Sequence, residues 1–198
     1  MSRLVIIDTG CANISSVRYA VERLGVVAEI SRDLATINSA ERLLLPGVGS
    51  ASEAMKNLAE RDLITTIKGL SQPVLGICLG MQLLARHSDE GNVDCLGLIP
   101  ADVKQLQVAP SVRLPHMGWN SVEPDSKSTL FAGVEGESFY FVHSYAAREL
   151  HGAVNTYATH GEKFLAATED GALSATQFHP EKSGRAGLVL IKNWSKTL

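Results

Sequence analysis

A chain of 198 residues, 45% hydrophobic and 20% charged, has the composition of an ordinary soluble globular protein and can bury a sizeable core without disulfides or a structural metal. Its formal net charge of −3 gives no overall field that would gather nucleic acid or an anionic membrane. Three cysteines, Cys11, Cys78 and Cys95, without C-x-x-C spacing, argue against a secreted disulfide scaffold. The N-terminal apolar run ends at Asp8, too soon for a signal-peptide core, and no window approaches the roughly 20 apolar residues that cross a bilayer. A cytosolic protein with one domain over residues 1–198 is expected.

In chain order, Leu4–Ile7 reads as a buried strand, followed by a helix over Ile14–Leu24 with Ile14, Val17, Val21 and Leu24 on one face. Val27–Ile30 and Arg42–Leu45 read as strands, the second stopped by Pro46-Gly47, and Ser52–Leu70 carries helical periodicity broken near Glu60–Asp62. Pro73–Ile77 is a fourth strand and Leu79–Arg86 a helix. Unbroken apolar strands alternating with helices predict an α/β fold, with a mostly parallel central sheet covered on both faces. The second half reads as strands at Leu96–Ile99, Val103–Val108, Phe139–Val142, Val154–Tyr157, Phe164–Thr168 and Leu173–Phe178. These suggest antiparallel additions to the sheet edge, closed by a helix over Ala186–Trp194.

The segment PVLGICLGMQLLAR, Pro73–Arg86, places Gly76-Ile77-Cys78-Leu79-Gly80 where an apolar strand meets a helix. A G-x-C-x-G at such a junction has the form of a nucleophile elbow: the turn is strained, and flanking side chains would strike neighbouring backbone. It also sets the sulfur at a helix N-terminus, which favours thiolate, and directs the Leu79 N–H toward a developing oxyanion. Cys11 and Cys95 lack this setting and read as structural.

A cysteine nucleophile in acyl transfer needs a base that also protonates the leaving amine. Of six histidines, His179 in Gln177-Phe178-His179-Pro180-Glu181 ends a strand-like run, where functional groups of parallel sheets collect. Pro180 restricts His179 to extended backbone, so that Glu181, two residues on, points the same way and reaches the imidazole. That arrangement completes a triad. No second His or Cys lies at ligand spacing, so neither a metal nor a cofactor is expected. His87, His151 and His160 lie in polar stretches and read as exposed.

Taken together, PVLGICLGMQLLA and QFHPE resemble the class I (triad) glutamine amidotransferases, which hydrolyse glutamine to glutamate and ammonia. The resemblance implies Cys78 as nucleophile, His179 as base, Glu181 as orienting acid, and Gln82, Ser144 and Tyr145 as glutamine-binding residues. Gly47-Val48-Gly49 falls where that family forms the rest of its oxyanion hole, and glycines there permit a peptide to aim an N–H at the charge. With Pro115-His116-Met117-Gly118-Trp119-Asn120 and Phe141–Tyr145, the likeness narrows to the glutaminase subunits of imidazole glycerol phosphate synthases and runs essentially end to end.

That narrower resemblance implies a separate (β/α)8-barrel cyclase as partner, with Asn13, Met117 and Trp119 at the interface; from charge and hydropathy no nucleic acid and no membrane are expected as partners. It also implies an isolated chain that is a poor glutaminase. The loop Asp8–Asn13 departs from the common D-Y-G-x-G-N at Thr9 and Ala12, which puts any aromatic role there in doubt. A glutaminase of another synthase, such as that of pyridoxal phosphate, and a non-catalytic subunit on the same fold remain the alternatives, with a cysteine-elbow redox or glyoxalase-type protein, which would not need H-P-E, as a third.

Overall fold

A computed structural model describes residues 3–10 and 14–196. The first half interleaves β1 (Leu4–Ile7), α1 (Ile14–Glu22), β2 (Ala28–Ser31), α2 (Leu34–Asn38), β3 (Arg42–Gly47), α3 (Ala51–Glu60), α4 (Leu63–Lys68), β4 (Val74–Cys78) and α5 (Leu79–Leu84). The second half runs β5 (His87–Ser88), β6 (Val93–Asp94), β7 (Asp102–Gln105), β8 (His116–Ser121), β9 (Glu123–Pro124), β10 (Ser138–His143) and β11 (Tyr145–Ala147). It closes with β12 (Val154–His160), β13 (Glu162–Asp170), β14 (Leu173–Thr176) and α6 (Gly184–Lys196).

The main sheet has the order β2-β1-β3-β4-β14-β13-β12-β9. Alternate residues of its central strands feed different cores. Leu4, Ile6, Leu44, Leu75 and Ile77 pack with α1, α6 and the phenylalanines of the second half, where Trp194 is also buried. Val5, Ile7, Leu43, Leu45 and Val74 pack with α3, α4 and α5. Strands buried on both faces have no polar side to show, which is why they read as continuous apolar runs. Among the described residues no helix is long and apolar enough to cross a membrane.

The mixed sheet matches the expected class and differs from it in detail. The strand at 173–176 joins β4 in parallel, because the β13–β14 hairpin sets β14 between β13 and β4; antiparallel pairing begins only at β13. The remaining second-half strands form two smaller sheets, β10-β8 and β11-β7-β5-β6, apart from the main edge. Residues 96–99 are not a strand. Their N–H groups bond the Leu83, Leu84 and Ala85 carbonyls at 2.7–2.9 Å, which answers the open end of α5 and stops it at Leu84.

β3 continues through Pro46 and Gly47, which pair with Ile77 and Cys78. Pairing with β1 has ended at Leu44, so proline sits where the strand has one neighbour and its missing N–H is tolerated. α5 then crosses β3 so closely that a Cβ on Gly80 would lie 1.8 Å from the Leu45 carbonyl oxygen. Gly80→Ala is therefore expected to destabilise the fold by about 3 kcal/mol or more. Gly136→Ala, with nothing within 4 Å of the added carbon, should leave the urea midpoint unchanged.

Candidate functional site

Cys78 ends β4 and begins α5 at φ 54° and ψ −110°, a conformation that costs a non-glycine residue about 1–3 kcal/mol and persists only where packing imposes it. The packing is visible on both sides. A Cβ on Gly76 would meet Leu84 at 2.9 Å, and one on Gly47, paired with Cys78, would meet the Gly80 nitrogen at 2.9 Å. Leu79 heads α5, where N–H groups have no acceptor within the helix. The opposite wall is the loop after β3, opened by Gly49 at φ 98°.

His179 follows β14 and is clamped through its backbone. Its N–H donates to the Tyr140 carbonyl at 2.9 Å, and its carbonyl accepts the Ser183 hydroxyl at 2.7 Å. That hydroxyl oxygen also accepts the Tyr140 N–H at 3.0 Å, closing a loop that ties β10 to the histidine. His179 Nδ1 lies 2.7 Å from Glu181 Oε1. The geometry differs from the expected extended one: His179 is extended, but residues 180–182 form a turn of 3-10 helix that swings Glu181 back toward the ring.

Both side chains are buried, at 3% and 2% exposure, and among the described residues Glu181 Oε2 has no hydrogen-bond partner. Burial works to lower the His179 pKa, but the Cys78 sulfur and the Glu181 carboxylate outweigh it and push it up to about 10. That rise favours the imidazolium form of the ring in this buried pair.

These groups open onto a pocket of about 220 Å³ lined by Val48, Gly49, Cys78, Leu79, Gln82, Glu90, Val142, His143, Ser144, Tyr145 and His179. Gln82 is buried. Its Nε2 donates to the Tyr145 carbonyl at 2.8 Å and to Gln177 Oε1 at 3.0 Å, so its Oε1 is the atom left for a ligand N–H.

Gly47 and Glu181 stand behind the pocket wall. Met117 and Trp119 lie outside it, 64% and 60% exposed, with Trp119 edge-on to Tyr140 at 6.1 Å. Asn13 falls outside the described residues, as do Cys11 and Ala12. Thr9, in the loop that departs from the common pattern, is fully buried. Cys95 is buried, and burial, with the nearby Asp94 charge, raises its thiol to about 11, in keeping with a structural residue. His160 is half-buried against His116 rather than exposed.

Three site residues lay outside the sequence reading. Glu90 lines the pocket and accepts the Ala51 N–H at 3.1 Å; in S-D-E-G-N it reads as loop. Gln177 is fully buried with Nε2 at 3.8 Å from Cys78 Sγ, and only its adjacency to Phe178-His179 could have flagged it. Ser183 carries no local signal.

The family model for Glutamine amidotransferase class-I matches residues 5–196. The chain belongs to the class I glutamine amidotransferases. Relatives include "Imidazole glycerol phosphate synthase subunit HisH 1" of Vibrio vulnificus strain YJ016, 51% identical over 97% of each chain. The HisH subunit of Mannheimia succiniciproducens is also 51% identical, over 98% of this chain and all of its own. Among solved structures, a glutamine amidotransferase superposes with a TM-score of 0.75 at 20% identity, covering 96% of this chain and 98% of that one. Another, from Thermotoga maritima, gives 0.65 at 20% identity over 98% and 80%. At that identity the structures speak for the glutamine amidotransferase fold alone.

The raised pKa of His179 has a definite linkage sign. A histidine bound more tightly to its proton in the folded state adds stability that is full below 6.5, its ordinary value, and is lost as pH rises through about 10. Glu181→Gln removes one source of the rise. Urea midpoints of the wild type should therefore fall more steeply than those of Glu181→Gln between neutral pH and about 10; parallel profiles would contradict the buried ion pair.

Proposed function

We propose that this chain is the glutaminase subunit of an imidazole glycerol phosphate synthase, hydrolysing L-glutamine to L-glutamate and ammonia for histidine biosynthesis. Its near-full-length likeness to the Vibrio and Mannheimia subunits supports the pathway. The observation that carries the chemistry is that Cys78 and His179 line one pocket, with His179 bonded from behind to the buried Glu181. Residues 1–198 act as one glutaminase domain in this reading.

The Cys78 thiolate attacks the side-chain amide carbon of glutamine. The resulting oxyanion is received by the Leu79 N–H and by an N–H of the Gly47–Gly49 loop. Imidazolium His179 gives its Nε2 proton to the amide nitrogen, the C–N bond breaks, and ammonia leaves a γ-glutamyl thioester. The same imidazole, now neutral, takes a proton from water as it attacks the thioester, and glutamate departs with return of the thiolate. Glu181, on Nδ1, stabilises the imidazolium at both stages. Gln82, Ser144 and Tyr145 hold the substrate, and the Glu90 carboxylate on the pocket wall is suited to its ammonium group.

Ammonia that escapes to water is protonated and loses its nucleophilicity, so it is delivered directly to a separate (β/α)8-barrel cyclase. That partner acts on a phosphoribulosyl-formimino aminoimidazole carboxamide nucleotide and yields imidazole glycerol phosphate and aminoimidazole carboxamide ribotide. The exposed Met117 and Trp119 suit the docking face, with Asn13 as a further contact. Trp119 reaches to about 4.0 Å of the position a Cβ on Gly184 would take, just past the 3-10 turn that carries Glu181.

Glutamate release is the deciding measurement. The chain alone is expected to be nearly inactive, and addition of the cyclase with its nucleotide to raise the rate sharply. Cys78→Ala should lose at least about 10³-fold in the complex. An equal rate in that variant would sink the assignment. Trp119→Ala should weaken cyclase binding about 30-fold, measured by titration, without slowing alkylation of Cys78.

A further inference from the structure

The antiparallel β8–β10 pair turns two imidazoles into the protein. His116 and His143 face each other across the ladder, both buried, among Phe141 and Phe164. His160 stacks on His116 at 4.1 Å. Buried polar rings need hydrogen bonds, and here each bond dictates the next. The Tyr145 carbonyl can only accept, so His143 Nδ1, 3.0 Å away, carries the proton. His143 Nε2 is then an acceptor, and the proton between the rings belongs to His116 Nδ1 at 3.0 Å. His116 Nε2 is in turn an acceptor, facing Asn120 Nδ2 at 3.3 Å, while the same amide donates to the Thr159 carbonyl at 2.9 Å.

The polarity Asn120 to His116 to His143 to Tyr145 holds only while both rings are neutral. Burial first, and then the His160 charge, lowers His116 to about 4. Burial also lowers His143 to about 3, against the Tyr145 hydrogen bond, with His116, His160 and His179 adding to the fall. The chain ends on an acceptor that matters. The Tyr145 carbonyl that receives His143 is the one that receives Gln82 Nε2 at 2.8 Å, and His143, Tyr145 and Gln82 all line the pocket.

We propose that His116 is a positioning residue for the glutamine subsite: through His143 it fixes the Tyr145 carbonyl, and with it Gln82 and the Ser144–Tyr145 segment. This rests on the reading of the pocket as the glutamine site. His116 does not line the pocket. It lies next to Met117 on β8 and points to the opposite face of that strand, so the relay starts on the strand that bears the exposed surface.

The test separates substrate positioning from general damage by labelling Cys78 in two ways, with iodoacetamide and with the glutamine analogue 6-diazo-5-oxonorleucine, in the complex with the cyclase. His116→Phe keeps the stacked ring and removes both hydrogen bonds. It is expected to slow analogue labelling and raise the KM for glutamine about 10-fold, with iodoacetamide labelling and the melting profile little changed. His116→Asn, which keeps a donor near the Nδ1 position, should recover most of the loss. Asn120→Ala, at the half-buried start of the chain, should shift the same ratio about 3-fold should His116→Phe not fold. An unchanged labelling ratio, or an equal fall for both reagents, overturns the proposal. Failure of the wild type to react with the analogue at all would instead overturn the glutamine reading beneath it.

Discussion

The crossing of α5 over β3, closer at Gly80 than any side chain allows, fixes where β4 can end and how sharply the chain must turn there. With the helix pressed against the sheet, the residue at the junction is driven to a positive φ, and that residue is Cys78. The strain is carried by burial on both faces of the sheet, where alternate residues of β1, β3 and β4 are locked into separate cores. A looser junction would let Cys78 relax into ordinary helix and take its sulfur away from the pocket. The positive φ at Cys78 is thus a by-product of dense packing several residues away.

Electrostatics supply the second constraint. The His179–Glu181 pair sits almost without solvent, and one carboxylate oxygen has no hydrogen bond among the described residues. Set against an apolar replacement such a pair contributes little once desolvation is counted, whereas removing one partner or its proton leaves a buried charge unpaired. What it provides is a fixed ring with its proton on the side that faces the sulfur. The Ser183 hydroxyl and the Tyr140 amide hold the backbone beneath that ring, so β10 is coupled to the histidine through main chain as well as through packing.

Much of this is legible in the sequence because the elbow turn is written in glycines and His179, the proposed base, is marked by the proline that follows it. The parallel strands announced themselves by their apolar runs. The 3-10 turn at 180–182 was not legible, since extended and turned backbones both carry Glu181 to the imidazole. β8 was missed for a clearer reason. Its inward residues are His116, Gly118 and Asn120 and its outward ones include Met117 and Trp119, the reverse of the usual strand pattern. The Leu96–Ile99 run misled because apolar residues that cap a helix look like a strand until the carbonyls of α5 are seen. Glu90 and Ser183 are held by tertiary contacts and leave no local trace, and Gln177 shows only through its adjacency to Phe178-His179.

The chain's two tryptophans stand in opposite environments, Trp119 largely in water and Trp194 at 2% exposure in the core beneath α6. Indole emission shifts to the red in a polar, mobile surrounding and to the blue in a dry one. The fold therefore contains its own pair of optical probes. A partner that covers β8 would blue-shift the Trp119 contribution and leave Trp194 untouched, whereas unfolding would red-shift Trp194 and change Trp119 little. Docking and denaturation move the spectrum in opposite directions, and the two events can be followed in one cuvette without any added label.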